Sequence, residues 1–283
     1  MWLLTVAGVL SLLTFTFCAG RGQTPRTVLR TGWLELPSAP SEDGLEMFTF
    51  SMVVDGAKTR NYSFCWDYDN LVARWVAYPL CKGNMGKGQR SNEWGLNPYL
   101  SRDDQPVLFR GYSKGNHGYY DRGHQVPSAD RLYRSANLQT FYGTNMTPQN
   151  SDLNAGLWNS IEIQVRDWAR SSDTLYVVSG CVTGGSRYYA LDNDGKKVTV
   201  PTGYYKALLR YSKSGSDGVS GYMGLALYLE NKSYPDTGVE KSFTMSIDEL
   251  EEKVGEDFFV NLSDDIEREV EAQSPADYDW WWK

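Results

Sequence analysis

Histidine is the scarcest ionisable residue in this chain, with two in 283 residues beside four cysteines. Neither CxxC nor HExxH occurs, and two histidines are too few for the usual tetrahedral ligand sets, so a zinc hydrolase is excluded. Long apolar runs are equally rare. Only residues 1–20, MWLLTVAGVLSLLTFTFCAG, approach the length of a membrane span. There is no internal repeat and no low-complexity tract, which excludes solenoid and fibrous architectures. At 41% hydrophobic and 22% charged residues, the composition is that of a globular protein with ample material for a core.

Residues 1–20 carry no charge and end in small residues before Arg21, as a secretory signal peptide does, although no Lys or Arg supplies a positive n-region. Export is therefore expected, to the medium or a periplasm. An uncleaved anchor and lipid attachment through Cys18 are the alternatives, the second opposed by the bulky Phe17 before it. Past Cys18 three cysteines remain. In an oxidising compartment Cys65 and Cys81, which flank a pair of predicted strands, are expected to form one disulfide and leave Cys181 over. The other reading makes all of them small buried hydrophobes.

Charge is unevenly placed. The net charge is −7, yet residues 230–283 hold 16 acids and 5 bases, leaving 23 bases and 19 acids in residues 1–229. A mildly basic body can bind a polyanion at a local site.

Four parts are expected: a signal peptide over 1–20, an arm or linker over 21–45, a catalytic domain over 46–262 and an acidic, Trp-rich tail over 263–283. The runs MFTFSMVV, RNYSFCWD and LVARWVAYPL read as strands joined by hairpin turns. Residues 82–117 read as loop. Leu157, Ile161, Val165 and Trp168 recur at steps of three and four and predict one helix from Asn154 to about Arg170, with Ser151 or Asp152 as its cap. TLYVVSGCV, KVTVPTGYYKALLRY and VSGYMGLALYLE predict further strands, and SIDELEEKVG a short helix with Ser246 and Glu249 in a capping box. Strands and helices alternate without a strict βαβ rhythm, so the expected class is α+β with a largely antiparallel sheet.

His117, in the Gly-rich stretch KGNHGYY, reads as a surface histidine. His124 stands in GYYDRGHQVPSADRL. There Gly123 permits close backbone approach, Arg122 offers a fork to phosphate, and Asp121 could orient a neighbour. Downstream, Glu162 follows Asn154 by eight residues, which on one continuous helix places them about 80° apart and two turns along the same side. An amide oxygen and a carboxylate so placed suit a hydrated magnesium ion. Each residue alone would read as an N-cap and a solvated helix face.

DRGHQVPSAD followed by TNMTPQNSDLNAGLWNSIEIQVRDWAR resembles the signature of the DNA/RNA non-specific endonuclease family. The likeness reaches upstream to ARWVAYPL and GQRSNEW and downstream to VPTGYYKALLRY. It implies a ββα-metal (His-Me finger) nuclease with a central, largely antiparallel sheet flanked by helices. It also implies His124 as general base, Asn154 as direct ligand of magnesium or its substitute manganese, and Glu162 holding metal-bound water. Arg90, Arg122 and Asn145 correspond to residues that contact phosphate or support the site. DNA and RNA are the implied substrates, bound through the phosphate backbone and cut to 5′-phosphorylated fragments, and some members of the family are homodimers. The competing reading is an exported protein that captures nucleic acid without cutting it. The ending DYDWWWK is read either as a stacking platform for bases or as an anchor packed on the body.

Overall fold

A computed structural model describes residues 32–213, 221–235 and 238–282. The predicted signal peptide lies outside the described residues. The strands are β1 (Leu45–Val54), β2 (Ala57–Asp67), β3 (Val72–Leu80), β4 (Asp121–His124), β5 (Met146–Gln149), β6 (Thr174–Val182), β7 (Tyr189–Leu191), β8 (Lys197–Thr199), β9 (Gly203–Ser212), β10 (Gly221–Glu230) and β11 (Thr244–Met245). The α-helices are α1 (Lys82–Met85), α2 (Arg134–Gln139), α3 (Ser151–Ala155), α4 (Leu157–Arg170), α5 (Ile247–Val254) and α6 (Asp264–Glu271).

Seven strands form an antiparallel sheet in the order β1-β2-β3-β6-β9-β10-β11. Its first turn is Asp55-Gly56, with φ of 49° and 83°, the pair of left-handed residues that matches the twist of a tight hairpin. Side chains alternate along β9 and so feed two cores. Tyr204 and Leu208 pack on one face with Leu157, Ile161 and Val165 of α4. Tyr205, Ala207 and Leu209 pack on the other with Ile247 and Leu250 of α5, Val270 of α6, and Phe258 and Phe259. The sheet is thus the middle of three layers, and the α+β expectation holds.

The predicted helix at Asn154 is two helices. Asn150, rather than Ser151 or Asp152, caps α3 by accepting from the Leu153 amide, and Gly156 leaves helical geometry with φ −99° and ψ −111°. Asn154 therefore sits in the last turn of α3, and the 80° relation to Glu162 on α4 does not apply. The helix predicted in SIDELEEKVG is α5, with the Ser246–Glu249 capping box formed and Gly255 ending it at φ 72°.

The expected disulfide is absent: Cys65, Cys81 and Cys181 are all free thiols. Cys65 pairs in register with Trp75, and Cys81 lies six residues further along the partner strand. That offset is about 20 Å at the rise of a strand, far beyond the reach of a disulfide. Burial pushes the Cys65 thiol up to about 12.

Both ends of the described chain pack into the body. Leu36 is buried, and the buried Glu35 carboxylate pairs with Arg60. At the other end Trp280 and Trp281 are buried, Trp168 meets Trp281 edge-on at 5.0 Å, and the Arg210 guanidinium lies 4.1 Å from the Trp280 ring centre. The tryptophans at the end of the predicted tail are an anchor, not a platform.

Candidate active site

β4 and β5 form a two-stranded antiparallel ribbon with Asp121 opposite Gln149 and His124 opposite Met146. The ribbon is close-fitting: a Cβ on Gly123 would lie 2.4 Å from Gln149 Oε1, so only glycine fits. Tyr204 on β9 donates its hydroxyl to the Pro148 carbonyl at 3.0 Å. Asn231 donates to the same carbonyl at 3.2 Å and accepts from the Asn150 amide at 2.8 Å. The Gln125 amide reaches the Ala73 carbonyl on β3. These bonds hold the ribbon, and the turn that leads into α3 and α4, in one position against the large sheet.

His124 projects from the end of β4 between two aromatic rings, 5.9 Å from Trp94 and 5.3 Å from Phe141, the latter edge-on. An arginine lies over each ring: Arg122 at 3.3 Å from the Trp94 centre and Arg90 at 4.9 Å from that of Phe141. The imidazole is hydrogen-bonded to the Arg122 backbone, whereas its Nε2 is buried and has no partner. Burial, then Arg90 and Arg122, hold its pKa down at about 3, against the opposing effect of that hydrogen bond. The ring is neutral at physiological pH, with an unengaged nitrogen.

Asn154 donates Nδ2 to Asp121 Oδ2 at 3.0 Å, and Ser151 Oγ donates to Asp121 Oδ1 at 3.0 Å. The first residue of β4 thus sets the orientation of the carboxamide and leaves the Asn154 Oδ1 with no hydrogen bond. A neutral amide oxygen left without a hydrogen bond is the donor a hard divalent cation accepts when most of its shell is water.

Glu162, half-buried on α4, is the third member of the group. Burial raises its pKa, while Lys206, Arg166 and Arg90 oppose that rise. Lys206 is fully buried on β9, with Nζ 3.0 Å from Ser179 Oγ and 4.6 Å from the Trp158 ring centre. Arg166 pairs with the buried Asp130 at 3.0 Å, and Tyr78 donates to the other oxygen of that carboxylate at 2.8 Å. A charge network therefore lies beneath the site, between α4 and the sheet.

The predicted site residues fall into two groups. His124, Arg122 and Arg90 converge around Trp94 and Phe141, and Asn154 is tied to the strand that carries the histidine. Arg122 is held in place, donating Nη1 to the Leu108 carbonyl at 2.8 Å. Asn145 has a different position from a phosphate-contacting residue. It is wholly buried, accepts from the Val126 amide at 2.9 Å, and donates to the carbonyls of Val126 at 3.0 Å and Thr140 at 2.9 Å. Its polar atoms are spent on shaping the loop after His124, which makes it a support. The sequence reading missed Trp94, Phe141, Lys206, Asp130 and Arg166. Of these, Arg166 stands four residues after Glu162 on the same helix, and Trp94, Asp130 and Lys206 lie within the segments GQRSNEW, DRGHQVPSAD and VPTGYYKALLRY.

A ribbon delivering a histidine, followed by a helical segment broken at Gly156 that carries an asparagine on α3 and a glutamate on α4, defines the ββα-metal class of nuclease. The family model for DNA/RNA non-specific endonucleases matches residues 44–265, and the chain belongs to that family. It is 31% identical over 218 residues to a nuclease of Nostoc sp., covering 75% of this chain and 76% of that protein. It is 29% identical over 205 residues to a nuclease of Serratia marcescens, covering 71% and 73%. A chain of the crystal structure of the EndoG/EndoGI complex shares the fold with a TM-score of 0.56 at 22% identity, covering 76% of this chain and 86% of that one. The protein is accordingly a nuclease of a divalent-metal-dependent family.

Proposed function

We propose that this chain is an exported, magnesium-dependent endonuclease that hydrolyses DNA and RNA without sequence or sugar selectivity and leaves 5′-phosphorylated fragments. The observation that carries the reading is the pairing of a neutral His124, whose Nε2 has no partner, with an Asn154 oxygen oriented by Asp121. Export rests on the apolar run over residues 1–20.

In this reading His124 Nε2 takes a proton from a water attacking phosphorus in line, and the Arg122 backbone keeps the ring oriented. Arg90 and Arg122 supply fixed positive charge to the phosphate oxygens as the attack proceeds. Asn154 and, through water, Glu162 would hold the metal. Magnesium, when bound, stabilises negative charge on the phosphate and on the departing oxygen. Contacts confined to phosphate and sugar would leave the base sequence unread.

The decisive experiment compares the chain lacking residues 1–20 with its His124→Ala variant on supercoiled plasmid and on total RNA, with magnesium and with EDTA. The parent should degrade both substrates only with metal. The variant should lose about 10²–10⁴-fold in rate while keeping its circular dichroism spectrum. A variant that cuts as fast as the parent refutes the assignment. A folded parent that binds DNA but cuts with none of several divalent ions would make the chain a capture protein.

A further inference from the structure

The face of the sheet opposite α4 carries a group of acids that the nuclease site does not use. Asp248 and Glu251 stand three residues apart on one side of α5, and Glu271 is the last residue of α6. One carboxylate oxygen from each lies within 4.8 Å of the other two. Among the described residues, this is the only set of three His, Cys, Asp or Glu side chains close enough to share a metal ion.

Exposed acids often cluster without a ligand, but Glu271 is not exposed. It retains 6% of its accessible surface, and its Oε1 is buried with no hydrogen-bond partner. A buried carboxyl oxygen without a hydrogen-bond partner is strongly disfavoured, and the cations of this part of the chain are engaged elsewhere. Lys253 lies 4.4 Å from the Tyr228 ring centre, Arg268 pairs with Asp265 at 3.6 Å, and Lys241 donates to the Ala276 carbonyl at 3.2 Å. The charged groups that act most on Glu271 are acids: Glu251, Glu267, Asp248 and Asp257. Burial and this repulsion push Glu271 up to about 9 and Glu251 up to about 7. One oxygen of Glu251 already accepts from the Phe258 amide at 2.7 Å, which fixes that carboxylate in place.

We propose that Asp248, Glu251 and Glu271 form a structural calcium site that clamps α5 to the end of α6, on the side of the sheet away from His124. Calcium binds oxygens at about 2.3–2.6 Å, so two of its ligands can stand up to about 5 Å apart. The observed spacing falls within that limit. Asp248, at the exposed edge, leaves the remaining positions to water. The cation supplies the positive charge that the buried Glu271 oxygen lacks, and it joins α5 to the segment that leads to Trp280 and Trp281.

The test uses the full mature chain carrying Asn154→Ala, so that metal at the nuclease site does not enter the measurement. Calorimetric titration with CaCl2 should show one ion per chain, and about 1 mM calcium should raise the melting temperature by on the order of 5 °C. Adding Asp248→Asn, a change at an exposed position, should weaken binding at least about ten-fold. Glu271→Gln should abolish it. In the otherwise native chain, Asp248→Asn should leave cleavage in magnesium unchanged. The proposal is overturned if the Asn154→Ala protein shows no calcium-dependent shift, or if the shift survives Asp248→Asn. It is equally overturned if Glu271→Gln raises the melting temperature of a calcium-indifferent protein, because the acids would then be sharing a proton.

Discussion

At the scale of single residues, the histidine's environment makes a claim about pH. A folded-state pKa near 3, below the ordinary 6.5, means that the unfolded chain takes up a proton first as pH falls. The stability contributed by neutral His124 is therefore complete above about pH 6.5 and is lost as pH drops toward 3. In the proposed mechanism the same depression keeps the base competent in mild acid. The acid limb of kcat/KM should lie below pH 6.5, and Arg90→Gln, by removing a cation that disfavours imidazolium, should move it upward. Rates measured from pH 4 to 8 on both proteins decide this, and an unmoved limb would remove Arg90 from the histidine's electrostatic surroundings. Asn154→Ala makes a separate claim. It should raise the magnesium concentration needed for half-maximal rate about 10-fold or more, while substrate affinity measured in EDTA stays as it was. Unchanged metal dependence would place the ion elsewhere.

At the scale of elements, the ribbon is the most demanding piece of the fold. Gly123 leaves no room for a methyl group against Gln149, whose side chain is itself buried. Gly123→Ala should force β4 and β5 apart, cost about 1–3 kcal/mol of stability, and lower activity more than the loss of folded protein explains, because His124 is the next residue. Urea denaturation beside rates normalised to folded fraction would test this; a variant with parental rate and stability would show that the ribbon tolerates the shift. The ribbon also shows how far the sequence could be read. DRGH and NMTPQ were legible as a pair of segments, and Asp121 as an orienting residue. The break at Gly156 was not, since Leu157, Ile161 and Val165 keep helical spacing whether or not the helix continues backward through Asn154.

At the scale of the molecule, the sheet separates two cores with different tasks. One backs the nuclease site through α4 and extends to the C-terminal tryptophans; the other is closed by α5 and α6. Trp281→Ala removes a ring that is 1% exposed and stacks edge-on with Trp168 and Trp280, so it should cost about 3–5 kcal/mol in chemical denaturation. A cost below about 1 kcal/mol would return the C-terminal segment to the status of a loose tail. The uneven charge has a place in the same layout. The acids of α5 and α6 stand on the face opposite α4, away from the arginines at Trp94 and Phe141 where a polyanion would bind.

The sequence by itself determined what depends on neighbours along the chain: the Asp55-Gly56 turn, the alternation of the strands, the cap of α5, and the spaced motifs that mark the family. Tertiary structure alone decided what depends on which strands pair and which faces meet. It brought Lys206 and Asp130 to the region of Glu162, set Trp94 against Arg122, kept Cys65 and Cys81 apart, spent Asn145 on its own loop and buried Trp281. Backbone geometry and periodicity are local and leave a local trace. The electrostatics of a buried site are a sum over groups that only the closed sheet assembles.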